Sequence, residues 1–362
     1  MISAHTDVVG SLLRPPELLA AREARSAGEI GDREFKAVED RAVVTDGEMR
    51  RLSFQSQLTQ AVTGFGEWDI DAFLWGQWRG DDEIGNRNGE RPANLGVVEK
   101  LARRRHLSAE EFVYLRARTT RIAKVTLPSP SLFVNFWSPE RSVAAYPTVE
   151  GFLADVVGIL RDEVEELARL GASYIQIDAP HYPLLLDPET RRFYESQGWT
   201  LDQWLDRGIE LDNALMRGLP DVTFGFHLCR GNQGSRWLVE GGYELIARPI
   251  FERIAAQRLL LEYDDERSGS FEPLRFVPDD KMVVLGLITT KRPALEAPED
   301  LVDGIHQASR FVDLERLALS PQCGFATSIV GNKLSLQDQI RKLKLVCETA
   351  RRVWPDAELR KD

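Results

Sequence analysis

The sequence predicts an α/β protein built as one (β/α)8 barrel, and three observations carry that prediction. Eight short β-rich runs alternate with longer helical or polar stretches: residues 5–11, 43–48, 122–128, 173–178, 222–229, 259–264, 282–289 and 317–323. Several are nearly continuous in apolar residues, as in Val283-Val284-Leu285-Gly286-Leu287-Ile288, which suits parallel strands covered on both faces. The 362 residues fit one large domain or two small ones, and eight β/α units fill residues 1–362 as a single domain. A doubly wound open sheet is the alternative architecture. No Gly-x-Gly-x-x-Gly follows the first run, which weakens a dinucleotide-binding version of it.

Taken in order, the runs end in polar residues, and in a barrel those ends form the functional rim. The first ends in Gly10-Ser11. The second ends in Asp46-Gly47-Glu48, and it is entered from a helical stretch, Asp40-Arg41-Ala42, without a turn residue. Residues 64–106 interrupt the alternation. They hold Trp68, Trp75 and Trp78 among many charges and four glycines between Gly80 and Gly96, and they predict a lid over the barrel mouth or an oligomer contact. After the third run, Asn135-Phe136-Trp137 offers aromatics that either stack on a flat heterocycle or pack in the core.

Residues 152–170 carry Phe152, Val156, Ile159, Leu160, Val164, Leu167 and Leu170 at spacings of three and four, a helix that Gly171 stops. The fourth run ends in Asp178-Ala179-Pro180-His181 and the fifth in His227-Leu228-Cys229. The sixth ends in Glu262-Tyr263-Asp264-Asp265, the seventh in Thr289-Thr290-Lys291-Arg292 and the eighth in Pro321-Gln322-Cys323. Gly231-Asn232-Gln233-Gly234 is a tight turn able to approach a ligand closely. Ser335-Leu336-Gln337-Asp338 reads as a capping box opening a helix with Leu336, Ile340, Leu343, Cys347 and Ala350 on its apolar face.

Composition narrows the function. Lys+Arg number 46 against 57 Asp+Glu, a net charge of −11, which argues against a general nucleic-acid or anionic-membrane binder. No apolar run approaches a membrane span, and no basic-then-apolar leader opens the chain. Three cysteines without a leader predict a reducing, cytoplasmic setting and no disulfide framework.

His227 and Cys229, two apart on a strand, face the same way. Cys323 and Glu262 end two other strands, so one rim could gather all four. One imidazole, two thiolates and one carboxylate form a tetrahedral set suited to Zn2+ and leave the site with one net negative charge. Such an electron-rich metal activates water poorly and holds a substrate thiol well, so the ligand types favour S-alkylation over hydrolysis. A non-catalytic barrel with a structural zinc is the competing reading. Glu48 and Asp178 could serve as an acid–base pair, hold a substrate ammonium, or simply be loop carboxylates.

His227-x-Cys229, Glu262 and Ser320-Pro321-Gln322-Cys323-Gly324, with Val9-Gly10-Ser11, Asp46-Gly47-Glu48 and Ile175-Gln176-Ile177-Asp178-x-Pro180, resemble the catalytic half of cobalamin-independent methionine synthase. The resemblance spans about residues 8–352. It implies a zinc barrel, a homocysteine-like thiol acceptor and a folate methyl donor, within the broader class of a methyl or alkyl donor. It further implies His227, Cys229, Glu262 and Cys323 as ligands, Ser11, Glu48 and Asp178 around the acceptor's carboxylate and amine, and Trp137 near a pterin. With room for one barrel, the chain resembles the short branch that includes epoxyalkane:coenzyme M transferases. Where the longer enzymes place a proton-donating histidine near the seventh strand end, this chain has Thr289-Thr290-Lys291, leaving Lys291 as the candidate donor. The expectation is therefore methyl transfer to homocysteine giving methionine, with epoxide opening by a coenzyme M-type thiol as the alternative. A homo-oligomer is compatible with the tryptophan-rich insertion.

Overall fold

A computed structural model gives the fold and describes residues 4–31, 33–35, 47–67, 76–80, 94–196 and 198–355. Its centre is a six-stranded parallel sheet in sequence order: β3 (Lys124–Pro128), β4 (Tyr174–Asp178), β5 (Thr223–Leu228), β6 (Arg258–Glu262), β7 (Met282–Ile288) and β8 (Leu317–Pro321). These are the third to eighth predicted runs, each placed within two residues at either end. β4 to β8 are buried along their whole length, as strands covered by helices on one face and packed in the interior on the other must be. The first predicted run extends this sheet beside β8 through a single parallel bridge, Thr6 to Leu319, and Gln176 Nε2 donates to Val9 O (2.6 Å). Of the second predicted run only Gly47 and Glu48 lie within the described residues, in a turn, and the helix-to-strand junction at 40–44 lies outside them.

The helix Val149–Arg169 buries Phe152, Leu153, Val156, Leu160, Val164 and Leu167 against the sheet. The Thr148 hydroxyl caps its start by accepting from Gly151 N, and Gly171 ends it at φ +93°, a conformation that glycine adopts without a Cβ penalty. The helix Leu336–Val353 opens on the predicted capping box at Ser335. Its predicted apolar face needs correction. Leu336, Ile340 and Cys347 are exposed, whereas Gln339, Lys342, Leu345, Val346, Thr349 and Ala350 are buried. The reason is Lys342, whose Nζ finds Ala294 O at 2.6 Å and the Glu296 carboxylate at 3.1 Å; a satisfied lysine turns a polar-looking stripe inward.

An antiparallel hairpin, β1 (Val62–Phe65) and β2 (Val97–Arg103), brackets the insertion. Trp68 and Trp75 lie outside the described residues. Within residues 76–80, Arg79 and Trp237 exchange backbone hydrogen bonds (2.7 and 3.0 Å), and Trp78 packs on Leu184, Leu238 and Val239. Among the described residues no helix is long and apolar enough to cross a membrane.

Candidate metal centre and substrate cavity

Parallel strands place all their C-terminal ends on one rim, and adjacent register decides which of those ends touch. Asp178 pairs with His227, and Leu228 pairs with Leu261 next to Glu262. Between β7 and β8 the register shifts past Gly286, where a Cβ would lie 2.6 Å from Gln322 Cα; this bulge turns the chain toward Cys323. The ligand atoms of His227, Cys229 and Cys323 all fall within 4.8 Å of one another, and all three residues are buried. The two sulfurs stand 3.3 Å apart as free thiols.

The residues fit a zinc ion. Both ring nitrogens of His227 are buried without a hydrogen-bond partner among the described residues, which is costly unless something else binds them. Two thiolates on a tetrahedral zinc sit about 3.8 Å apart given Zn–S near 2.3 Å, so a small opening of the pair admits the ion. The thiol hydrogen bond from Cys323 draws Cys229 well below the ordinary thiol range, while that same bond and burial push Cys323 well above it. One sulfur thus ionises at the expense of the other, a conflict that a divalent cation resolves.

This cluster opens on a cavity that is continuous with solvent. Six of the nine expected residues line it: Ser11, Glu48, Asp178, His227, Cys229 and Cys323. Glu48 accepts from Thr126 Oγ1 (2.9 Å) and lies 3.5 Å from the Arg51 guanidinium. Gly10 makes room for it, since a Cβ there would lie 2.8 Å from Glu48 Oε1. Asp178 accepts from Gln176 Nε2 (2.7 Å). Burial pushes its carboxyl up to about 7, with Glu48 adding to the rise and His227 and Gln176 opposing it.

The other three expected residues stand outside the cavity wall. Glu262 is fully buried behind it. Its Oε1 takes the Lys291 ammonium (3.1 Å) and Arg267 Nη2 (3.4 Å), its Oε2 takes Arg230 N (3.1 Å), and it is not within the 4.8 Å cluster. Lys291 is likewise buried. Burial alone would lower its pKa, but Glu262 and Asp264 outweigh that and hold it above the ordinary lysine value. Trp137 packs against the core, with its indole N–H on Tyr146 O (3.0 Å). Among the described residues the tryptophan that lines the cavity is Trp78, joined by Phe54, Pro180 and Val9 as the apolar wall.

The tight turn after β5 also enters the site. Asn232 lines the cavity and donates to Thr290 Oγ1 (2.9 Å) and Gly324 O (2.7 Å). Thr290 in turn binds Gln322 Oε1 through its backbone N–H (2.7 Å), so the seventh strand end is closed into an amide and hydroxyl network. Phe54, Ser53 and Thr327 carried no local signal in the sequence, because their place in the cavity depends on loop packing.

The chain matches the family model for the cobalamin-independent synthase catalytic domain over residues 82–351. The uncharacterized protein YxjH of Bacillus subtilis (strain 168) is 32% identical over 97% of this chain and 94% of its own length. A methionine synthase of Pyrococcus abyssi is 26% identical over 94% of this chain and 91% of its own. Among solved structures, a putative vitamin-B12 independent methionine synthase from Listeria monocytogenes aligns with a TM-score of 0.71 at 25% identity, covering 97% of this chain and 98% of that one.

Proposed function

We propose a reaction from one premise: this chain belongs to the cobalamin-independent synthase family, of the catalytic-domain type. The proposed reaction is zinc-dependent alkylation of a thiol, specifically methyl transfer to homocysteine giving methionine. The observation that carries it is the buried His227, Cys229 and Cys323 cluster opening on a cavity that two carboxylates also line. In this reading the six strands, residues 5–11 and the second run close into a barrel, residues 1–362 form one cytoplasmic domain, and residues 64–106 form its lid.

Zinc, when bound, supplies a Lewis acid that holds the acceptor sulfur as a thiolate at neutral pH. His227, Cys229 and Cys323 would hold it. Glu262 would complete the set by turning one oxygen away from Lys291. Glu48 and Asp178 would bind the acceptor's ammonium, because two buried carboxylates lining one cavity attract a cation and repel an anion. Ser11, whose Oγ accepts from Ala326 N (3.2 Å), would meet the acceptor's carboxylate. The sulfur–methyl bond forms as the bond to the leaving group breaks, and the leaving group departs with the electron pair.

Lys291 is the proposed source of any proton that leaving group needs. Its ammonium is held by Glu262 and Asp264, so a donor that departs without protonation suits the site better than a neutral-amine leaving group. Trp137 packs against the core with its indole N–H on Tyr146 O, so no direct contact with a pterin is proposed for it. The test is a matrix of homocysteine and coenzyme M against methyl-folate, simpler methyl donors and epoxides, read by product mass. Methionine formed only with the zinc-loaded protein supports the reading. Turnover of coenzyme M with an epoxide, and none of homocysteine, replaces it with the epoxide-opening alternative.

A further inference from the structure

The cavity wall joins two segments far apart in sequence. Glu48, Ser53 and Phe54 come from residues 47–54, and Cys323, Gly324 and Thr327 from the loop after β8. Neither is regular strand. Glu48 itself has φ +57°, left-handed backbone that a side chain with a Cβ adopts only under constraint. Phe54 N reaches Thr327 O (2.9 Å) and Ile329 N reaches Leu52 O (2.8 Å), so the segments run side by side.

Between them lies a buried guanidinium. Arg14 Nη1 donates to Ala326 O (3.1 Å) and Ser328 O (3.0 Å), and its Nη2 donates to Glu48 O (2.8 Å) and Arg51 O (2.7 Å). One edge of a single plane therefore serves each segment. The neighbours of Arg14 bind the same frame: Leu12 N donates to Gly47 O (2.9 Å), and Phe325 N donates to Ser11 O (2.7 Å).

We propose that Arg14 is a positioning residue that sets the span between the carboxylate side of the cavity, at Glu48, and the sulfur side, at Cys323. Two features separate this from general cohesion. Arg14 binds the carbonyl of the one cavity residue with left-handed backbone, and that carbonyl also receives Arg51 N (3.1 Å), which fixes the peptide from which the Glu48 side chain projects. The four acceptors also form two pairs on different segments. A guanidinium fork matches that arrangement, and a lysine ammonium, a point donor, does not. Arg14 touches no substrate; it acts through Glu48.

The inference rests on the aminothiol reading of the cavity, and the experiment separates the two. The zinc-loaded wild type is titrated by calorimetry with homocysteine and with its amine-free counterpart, 4-mercaptobutanoate. Preference for homocysteine supports the aminothiol reading, and its absence sinks that reading, and this inference with it, before any variant is made. With the preference in hand, Arg14→Lys is expected to weaken homocysteine about tenfold or more and the amine-free thiol less than about threefold, with zinc content unchanged. Amide hydrogen exchange is expected to rise in residues 47–54 and 323–329 together. Equal loss of both thiols, or unchanged exchange in either segment, overturns the positioning role. Arg14→Gln, which keeps a planar donor but no charge, provides the same exchange measurement if the lysine variant folds poorly.

Discussion

The two sides of the cavity are built by different means. On the sulfur side, His227 and Cys229 project from β5 and the residue that follows it, and Cys323 follows β8. Strand pairing sets their places, and β5 and β8 are buried along their whole length. On the carboxylate side Asp178 also ends a strand, β4, but Glu48 stands on a turn with left-handed backbone, held by Arg14, Thr126 and Arg51. Backbone hydrogen bonds repeated along a ladder hold the first side rigidly, whereas the second depends on a few side-chain contacts that one substitution undoes. The sulfur side is therefore expected to lose metal when its ligands change, and the carboxylate side to lose substrate recognition with the metal in place.

The largest test of that contrast is at the sulfurs. Cys229→Ser and Cys323→Ser are each expected to weaken zinc by about a thousandfold or more, measured by competition with a chromophoric chelator. Full zinc occupancy in both would remove the metal centre from this face.

The second test asks whether the buried polar network under the β3 and β4 ends is a matter of stability alone. Asp212, on the helix Leu201–Met216, accepts from Ser129 Oγ (2.5 Å), Tyr182 Oη (2.6 Å) and Ser131 Oγ (3.1 Å). Burial pushes its carboxyl up to about 6, with the three hydroxyls pulling the other way. The native state therefore binds more protons than the unfolded chain between about pH 4 and 6, and this group's contribution to stability is present below that window and lost as pH rises through it. Wild type should lose on the order of 2 to 3 kcal/mol relative to Asp212→Asn between pH 4 and 7, read from denaturant midpoints. A constant difference between the two proteins across that range would contradict the raised pKa, and a change in zinc content would tie the network to the metal instead.

The third moves to the carboxylate side. Glu48→Gln is expected to raise KM for homocysteine about tenfold to thirtyfold with zinc content unchanged. If the variant loses zinc instead, the division between the two sides fails. The smallest effect belongs to Trp137→Phe. Loss of its hydrogen bond to Tyr146 O should cost about 1 kcal/mol of stability, seen as a shift in Tm, with KM for either substrate unmoved. A change in donor KM would return Trp137 to the site.

Most of the sheet was legible because its signals are local. A run such as 282–289 is apolar, β-branched and bounded by turns, and strand periodicity places His227 and Cys229 on one side without knowledge of any neighbour. The apolar face of the last helix was misread because the burial of Lys342 depends on Ala294 and Glu296, residues more than forty positions away. In the sequence Trp137 reads as an aromatic that stacks on a ligand or packs in the core, and Trp78 as part of a lid or an oligomer contact. The first is used up by Tyr146, and the second is carried to the cavity by the pairing of Arg79 with Trp237.

By itself the sequence determined the parallel sheet, the helices that cover it, the rim at which polar residues collect, and the placing of His227 and Cys229 on one side of a strand. Each of these follows from periodicity and residue chemistry read over a few positions. Only the tertiary structure decided that Glu262 turns toward Lys291 and Arg267, that Trp78 walls the cavity in place of Trp137, and that Arg14 clasps Glu48 to the loop after Cys323. Those contacts join residues separated by tens to hundreds of positions. Their energy comes from desolvated charges meeting specific partners, and the identity of the partner exists only once the chain has closed.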